Sequence, residues 1–188
     1  MNVVNEQYIH QYQHFFDNAL HEFVEQFLTF METTNKGVRY FFVGNGASAA
    51  IASHLAVDFS KALGIRASTF HDPVLLTCFG NDYGYDHWVA EAVKLYGNSD
   101  DVLILISSSG QSKNIVNAAK AARAKGLKVI ALTGPNPDPI LIEESAVMLR
   151  VDSHIYNVIE CSHMIALCAV VDSCKMITLP NYSLELVE

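Results

Sequence analysis

The chain has 188 residues, 51% of them apolar, and a formal net charge of −8; that length buries one substantial core and argues for a single domain. The acidic balance excludes a general affinity for nucleic acid or anionic membrane, both of which need a basic patch. It leaves room for a small anion held by local amides and a helix end.

Charged residues make up only 17% of the chain, so a large apolar share of the surface is expected to serve subunit contacts, and a homo-oligomer with it. The opening MNVVNEQYIHQYQHFF has no basic segment followed by an apolar one, and no uninterrupted apolar run reaches about 18 residues; a cytoplasmic protein that neither enters nor binds a membrane is expected. Cys78, Cys161, Cys168 and Cys174 form no CxxC pair, which argues against disulfides and a structural zinc of the usual spacing. They are expected as small buried hydrophobes.

From Glu6 to Glu32, Phe16, Leu20, Phe23, Val24, Phe27, Leu28 and Met31 recur at helical spacing, ending at "NKG". "VRYFFVGNG" then reads as a buried strand into a glycine turn, and "SAAIASHLAVDFSKAL" as a helix closing at Gly64. "RASTF" is a second strand, followed by a helical stretch expected to break at Gly80 and Gly84. "DVLILIS" is a central strand and "SKNIVNAAKAARAKG" a helix. "LKVIALTG", a helical turn at "DPILIEESA", a strand at "VMLRVD" and a buried helix from Tyr156 to about Met176 complete the chain. Continuous apolar strands alternating with helices predict a parallel sheet covered on both faces.

Ligands of such sheets sit beyond the carboxyl ends of the strands, where two segments carry unusual chemistry: "GNGASA" and "SSSGQS". Ser107, Ser108, Ser109 and Ser112 surround Gly110 where a strand hands over to a helix, and hydroxyls beside unpaired helix amides suit a phosphate monoester. The competing reading is that Ser109 or Ser112 simply caps the helix; one cap needs one serine, and there are four in six positions. In the other turn, Gly44 and Gly46 either let backbone approach a ligand or only supply positive φ, and Ser48 adds a hydroxyl. There is no GxxxxGK[ST] and no complete GxGxxG with a ribose-binding acid, so no nucleotide cofactor is expected. His54 and Asp58, four apart, share a helix face. His71, His87 and His154 are expected at the surface or in loops.

The segments "VGNGASAAIASHLAVDF", "CFGNDYGY", "DVLILISSSGQSKNIVNAAKAARAKGLKVIALTG" and "VIECSH", spread in order between Val38 and Asp172, together resemble the sugar isomerase (SIS) domain family, and within it the sedoheptulose 7-phosphate (phosphoheptose) isomerases. The resemblance implies a flavodoxin-like three-layer α/β sandwich with a central parallel sheet and an N-terminal oligomerisation helix. One SIS domain would fill 1–188: a helical arm over 1–36, the sandwich over 37–177 and a tail over 178–188. It implies a homotetramer, or dimer of dimers, with active sites between subunits. Ser107, Ser108, Ser109 and Ser112 would hold the sugar phosphate, with Asn45, Ser48 and Asp82 lining the sugar side. The implied reaction is aldose–ketose isomerisation by proton transfer between C1 and C2 through an enediol, serving heptose biosynthesis.

Two departures stand out. The family's helical HxxxE is here His54 and Asp58, one methylene shorter. Its later QExHxxxxH fits "VIECSH" in two registers. One aligns the glutamates, placing Ile159 and Leu167 at the glutamine and last histidine. The other aligns His163 and places Glu160 and Cys168 there; it keeps polar groups at both sites and is preferred. It makes Asp58, Glu160 and Cys168 the catalytic candidates and His54, Asp58, Glu160 and Cys168 a zinc ligand set. His163 is then either a weaker base or a buried structural residue. The competing classes are a non-catalytic SIS protein that binds a sugar phosphate as sensor or scaffold, and an isomerase of a pentose or hexose phosphate.

Overall fold

A computed structural model describes residues 2–179 and 181–184; the end of the expected tail lies outside the described residues. The N-terminal arm is α1 (Asn2–Phe15), a five-residue π-helical turn (Phe16–Leu20) and α2 (His21–Thr33). There follow β1 (Arg39–Gly44), α3 (Ala47–Leu63), β2 (Arg66–Thr69), α4 (Pro73–Tyr83), α5 (Trp88–Tyr96) and β3 (Val102–Ser107). The chain continues through α6 (Lys113–Lys125), β4 (Lys128–Thr133), α7 (Pro139–Glu144), β5 (Ser145–Arg150) and α8 (Tyr156–Thr178).

The five strands are parallel in the order β2-β1-β3-β4-β5, the flavodoxin-like arrangement. Alternate side chains divide the interior into two layers, as a strand's period of two requires. Tyr40 and Phe42 of β1 and Val102, Ile104 and Ile106 of β3 face α2, α3 and α8. Phe41, Val43, Leu103 and Leu105 face α5, α6 and α7. On the first face the ring of Phe59 of α3 packs edge-on at 4.9 Å from Phe42 and tilted at 6.0 Å from Phe27, pinning the arm to the sheet; burying each such ring is worth roughly 1.5–3 kcal/mol.

The arm is where local periodicity misleads. Phe15 is buried and Phe16 exposed, the reverse of the continuous stripe through Phe16, because the π-helical turn takes up one extra residue per turn and shifts the helix phase. A second difference is at Gly80, where α4 runs on without a break; only Gly84 ends it. A third concerns the cysteines: Cys78 and Cys161 are exposed and Cys168 and Cys174 half-buried, so none is a fully enclosed hydrophobe.

α8 is long and apolar enough to cross a bilayer. Here its face of Val158, Ile159, Ala166, Leu167, Val170 and Val171 is buried in the core, which accounts for its composition.

Candidate active site

α3 leaves the end of β1 toward one face of the sheet and α6 leaves the end of β3 toward the other. The diverging loops open a crevice between adjacent strand ends. Asn45, Ser48, Ile106, Ser107, Ser108, Ser109, Ser112, Tyr156 and Glu160 line this cleft of about 210 Å³. Larger hollows lie elsewhere: one of about 440 Å³ around Met31, Tyr40 and Arg66, and one of about 570 Å³ whose hydroxyls, Ser53, Ser60, Ser68 and Thr69, come from within α3 and from β2 and not from a helix N-terminus.

The serine loop is built tightly. Gly110 N–H donates to Ser107 O at 2.9 Å and Asp138 N–H to Gly110 O at 2.9 Å. Gly110 has φ 65°, and a Cβ there would sit 2.6 Å from Pro137 Cα, so only glycine serves on both counts. Behind it Gly134 N–H donates to Ser108 O at 3.0 Å, and a Cβ on Gly134 would come within 2.4 Å of that oxygen.

The hydroxyls are not spent on capping. Ser112 is the N-cap of α6, yet its side chain makes no cap bond and lies 3.4 Å from Ser107 Oγ. Ser109 Oγ accepts from Gln111 N–H at 3.1 Å within the loop. The start of α6 and the hydroxyls therefore border one small space, an arrangement suited in charge and hydrogen bonding to a phosphate dianion.

On the opposite wall, Ser108 Oγ donates to Glu160 Oε1 at 3.4 Å. Asn45 Nδ2 donates to Asn114 Oδ1 at 3.0 Å, Asn114 Nδ2 to Asn45 Oδ1 at 2.8 Å, and Tyr85 O–H to the same Oδ1 at 2.9 Å. Tyr156, Tyr85 and Asn114 are contributors that reasoning from sequence missed. For Asn114 a signal existed, since an asparagine in the first turn of α6 follows the serine cluster directly.

The other expected residues stand apart from the cleft. Asp82 lies on α4, where its Oδ1 accepts from Asn81 Nδ2 at 2.9 Å, and it does not line the cleft. His54 Nε2 is 3.2 Å from Asp58 Oδ2 on α3. Cys168, half-buried, has its thiol pushed up by burial and then by the carboxylates of Asp58 and Asp172, so it is a neutral thiol at neutral pH. Among the described residues no three His, Cys, Asp or Glu side chains come together as a metal group. The expected zinc set of His54, Asp58, Glu160 and Cys168 is thus not assembled. Glu160 and Cys168 are 8 residues apart on α8, about 12 Å of helix rise, and Glu160 turns to the serines.

His163 is fully buried, with Nε2 3.2 Å from Thr133 O, and burial lowers its pKa to about 4. It fixes α8 to the end of β4 and does not line the cleft. His71 lies, as expected, in a loop, between β2 and α4, and is half-buried there: its Nε2 lies 3.1 Å from Gly44 O, and burial pushes its pKa down.

A flavodoxin-like sheet with a hydroxyl-lined, phosphate-sized cradle at its switch point defines a class of small-molecule phosphate binders. The SIS domain family pattern matches residues 7–134, and the chain belongs to the SIS domain family, close to the phosphoheptose isomerases. A phosphoheptose isomerase of Neisseria gonorrhoeae is 36% identical over 143 residues, which is 69% of this chain and 72% of that protein. One from Histophilus somni is 45% identical over 96 residues, spanning about half of each chain, 48% and 49%. The solved structure of phosphoheptose isomerase from Neisseria gonorrhoeae superposes with a TM-score of 0.82 at 31% identity, covering 93% of this chain and 96% of that one. That from Francisella tularensis superposes with the same score at 28% identity, covering 93% and 97%.

Proposed function

We propose that the protein is an aldose–ketose isomerase of a phosphorylated sugar, of the sedoheptulose 7-phosphate isomerase type. The observation that carries this is the cleft's composition: four serines with nothing to cap, facing one carboxylate. The likeness in sequence and structure to phosphoheptose isomerases over most of the chain supports the same reading.

Ser107, Ser108, Ser109 and Ser112, with the first amides of α6, hold the phosphate dianion and so fix one end of the sugar. Glu160 is the group that moves the proton. It alone of the catalytic candidates Asp58, Glu160 and Cys168 lines the cleft. As a carboxylate it removes the proton from C1 or C2, and as the carboxylic acid it returns it to the neighbouring carbon, while the hydroxyl proton lost by one of O1 and O2 is gained by the other through exchange with solvent water. Asn45 and Ser48 contact the oxygens whose charge changes as the enediol forms. Because the donor set for zinc does not converge, no step is routed through a metal.

A homotetramer is part of this reading. Tyr8, Ile9 and Phe16 of the arm and Val57 of α3 are exposed apolar residues, and Val57 lies on the same helix as His54 and Asp58. Association of copies through these surfaces would cover them and seat a neighbour near the cleft.

The test is proton NMR of sedoheptulose 7-phosphate in deuterated water with the protein. Loss of the C1 proton signal supports the isomerase. Line-broadening of the ligand without exchange would instead identify a protein that binds the sugar phosphate as sensor or scaffold.

A further inference from the structure

The hydrogen-bonding capacity of Asn45 is almost entirely consumed by residues that do not line the cleft. An amide oxygen accepts two bonds and an amide nitrogen donates two. Asn45 Oδ1 takes one from Asn114 Nδ2 at 2.8 Å and one from Tyr85 O–H at 2.9 Å, which fills it. Its Nδ2 gives one to Asn114 Oδ1 at 3.0 Å. One N–H remains, and Asn45 lines the cleft.

The two partners come from different parts of the chain. Asn114 is 2% exposed in the first turn of α6, so its amide turns over only together with that of Asn45, and the Tyr85 phenol, a better donor than acceptor, favours the orientation in which Asn45 Oδ1 receives it. Tyr85 stands in the connection between α4 and α5, just after Gly84 at φ 78°; its ring is 54% exposed, and no core packing demands its hydroxyl. His71, in the loop after the edge strand β2, holds the adjacent backbone, with Nε2 3.1 Å from Gly44 O.

We infer that Asn114 and Tyr85 are positioning residues that set the amide of Asn45 so that it offers a donor, and no acceptor, to the sugar. Resting on the isomerase reading above, this makes Asn45 the group that meets the substrate oxygen on which negative charge develops as the enediol forms. An amide free to rotate would present its oxygen to that charge half of the time and repel it. The clasp disfavours that orientation before substrate arrives, so its contribution falls on the chemical step and not on the grip on phosphate.

The experiment measures C1 exchange of sedoheptulose 7-phosphate (kcat and KM) and the affinity for inorganic phosphate. It compares the unaltered protein, Asn45→Ala, Tyr85→Phe and Asn114→Ala, and each of the last two combined with Asn45→Ala. Tyr85→Phe and Asn114→Ala are expected to lower kcat roughly tenfold or more while leaving inorganic phosphate affinity within about twofold. In the Asn45→Ala background neither should lower kcat further, because both act through that amide. Full additivity there, or a parallel loss of phosphate affinity, would overturn the inference by showing general damage to the cleft. Should Asn114→Ala fail to fold, Tyr85→Phe, at an exposed side chain, decides alone. If the unaltered protein exchanges no C1 proton, the isomerase reading falls separately. The same cycle is then read on the affinity for sedoheptulose 7-phosphate relative to inorganic phosphate, where additivity again overturns the positioning role and its absence supports it.

Discussion

The hydroxyl of Ser108 donates to Oε1 of Glu160 at 3.4 Å, joining the end of β3 to the second turn of α8 across 52 residues of chain. A phosphate held by the serine loop therefore meets a carboxylate on the opposite wall of the same cleft. On the isomerase reading proposed above, that proximity puts Glu160 beside the substrate as the acid–base group and sets two negative charges near each other.

Glu160→Gln separates these effects, because it keeps the shape and removes both the charge and the proton acceptor. C1 exchange is expected to fall by a factor on the order of 10²–10⁴. Affinity for inorganic phosphate should rise or stay level as the repulsion is relieved. Calorimetry with phosphate beside the NMR exchange assay checks both directions; retained exchange would move the proton-transfer role to another residue.

Ser112→Ala tests whether the serines serve the ligand or the fold. Loss of an ordinary N-cap serine costs about 1 kcal/mol of stability. Ser112 makes no side-chain cap bond, so the thermal midpoint should stay within a degree or two. Phosphate affinity should drop roughly tenfold, the worth of one hydrogen bond to a charged group. The opposite pattern, an unstable protein with unchanged affinity, would restore the capping reading.

His163 makes stability depend on pH. Its pKa is lowered to about 4 by burial from an ordinary 6.5, so in acid the unfolded chain takes up the proton first. No penalty exists above about pH 6.5. Stability then falls as the pH drops toward 4, by on the order of 3 kcal/mol over the window. Denaturant unfolding at pH 7.5 and pH 5 should show this loss, and His163→Gln should flatten it. A wild-type curve with no slope between those values would mean that His163 is not enclosed as described.

Cys168→Ser addresses the expected metal ligands. With the thiol neutral and two helical turns from Glu160, the substitution should change C1 exchange less than tenfold. Abolished exchange together with loss of bound zinc would show that His54, Asp58, Glu160 and Cys168 converge once copies of the chain assemble.

The centre of the sheet was legible because β1, β3 and β4 are runs of apolar residues too short for a helix, set between stretches of helical composition. The serine loop was legible for a related reason: four hydroxyls at one junction exceed any local need. The clasp around Asn45 was not, because Asn45, Tyr85 and Asn114 lie 40 and 69 residues apart, and nothing in spacing reports which distant side chains the fold will pair. Whether the expected metal set converges was not legible either. A helical register places Glu160 and Cys168 on α8, but which neighbour each one faces depends on how α8 packs against α3 and the serine loop.

The π-helical turn at Phe16–Leu20 sets the angle at which the arm meets the sandwich. The turn absorbs one extra residue, and an α-helix turns about 100° per residue, so winding the same residues as regular α-helix would rotate everything before them by roughly that angle. Phe15 would swing out of the core, and the packing of α1 against α8 would be lost. The arm thus works like a key cut to one angle: its composition could survive such a rewinding intact while its teeth no longer met the lock.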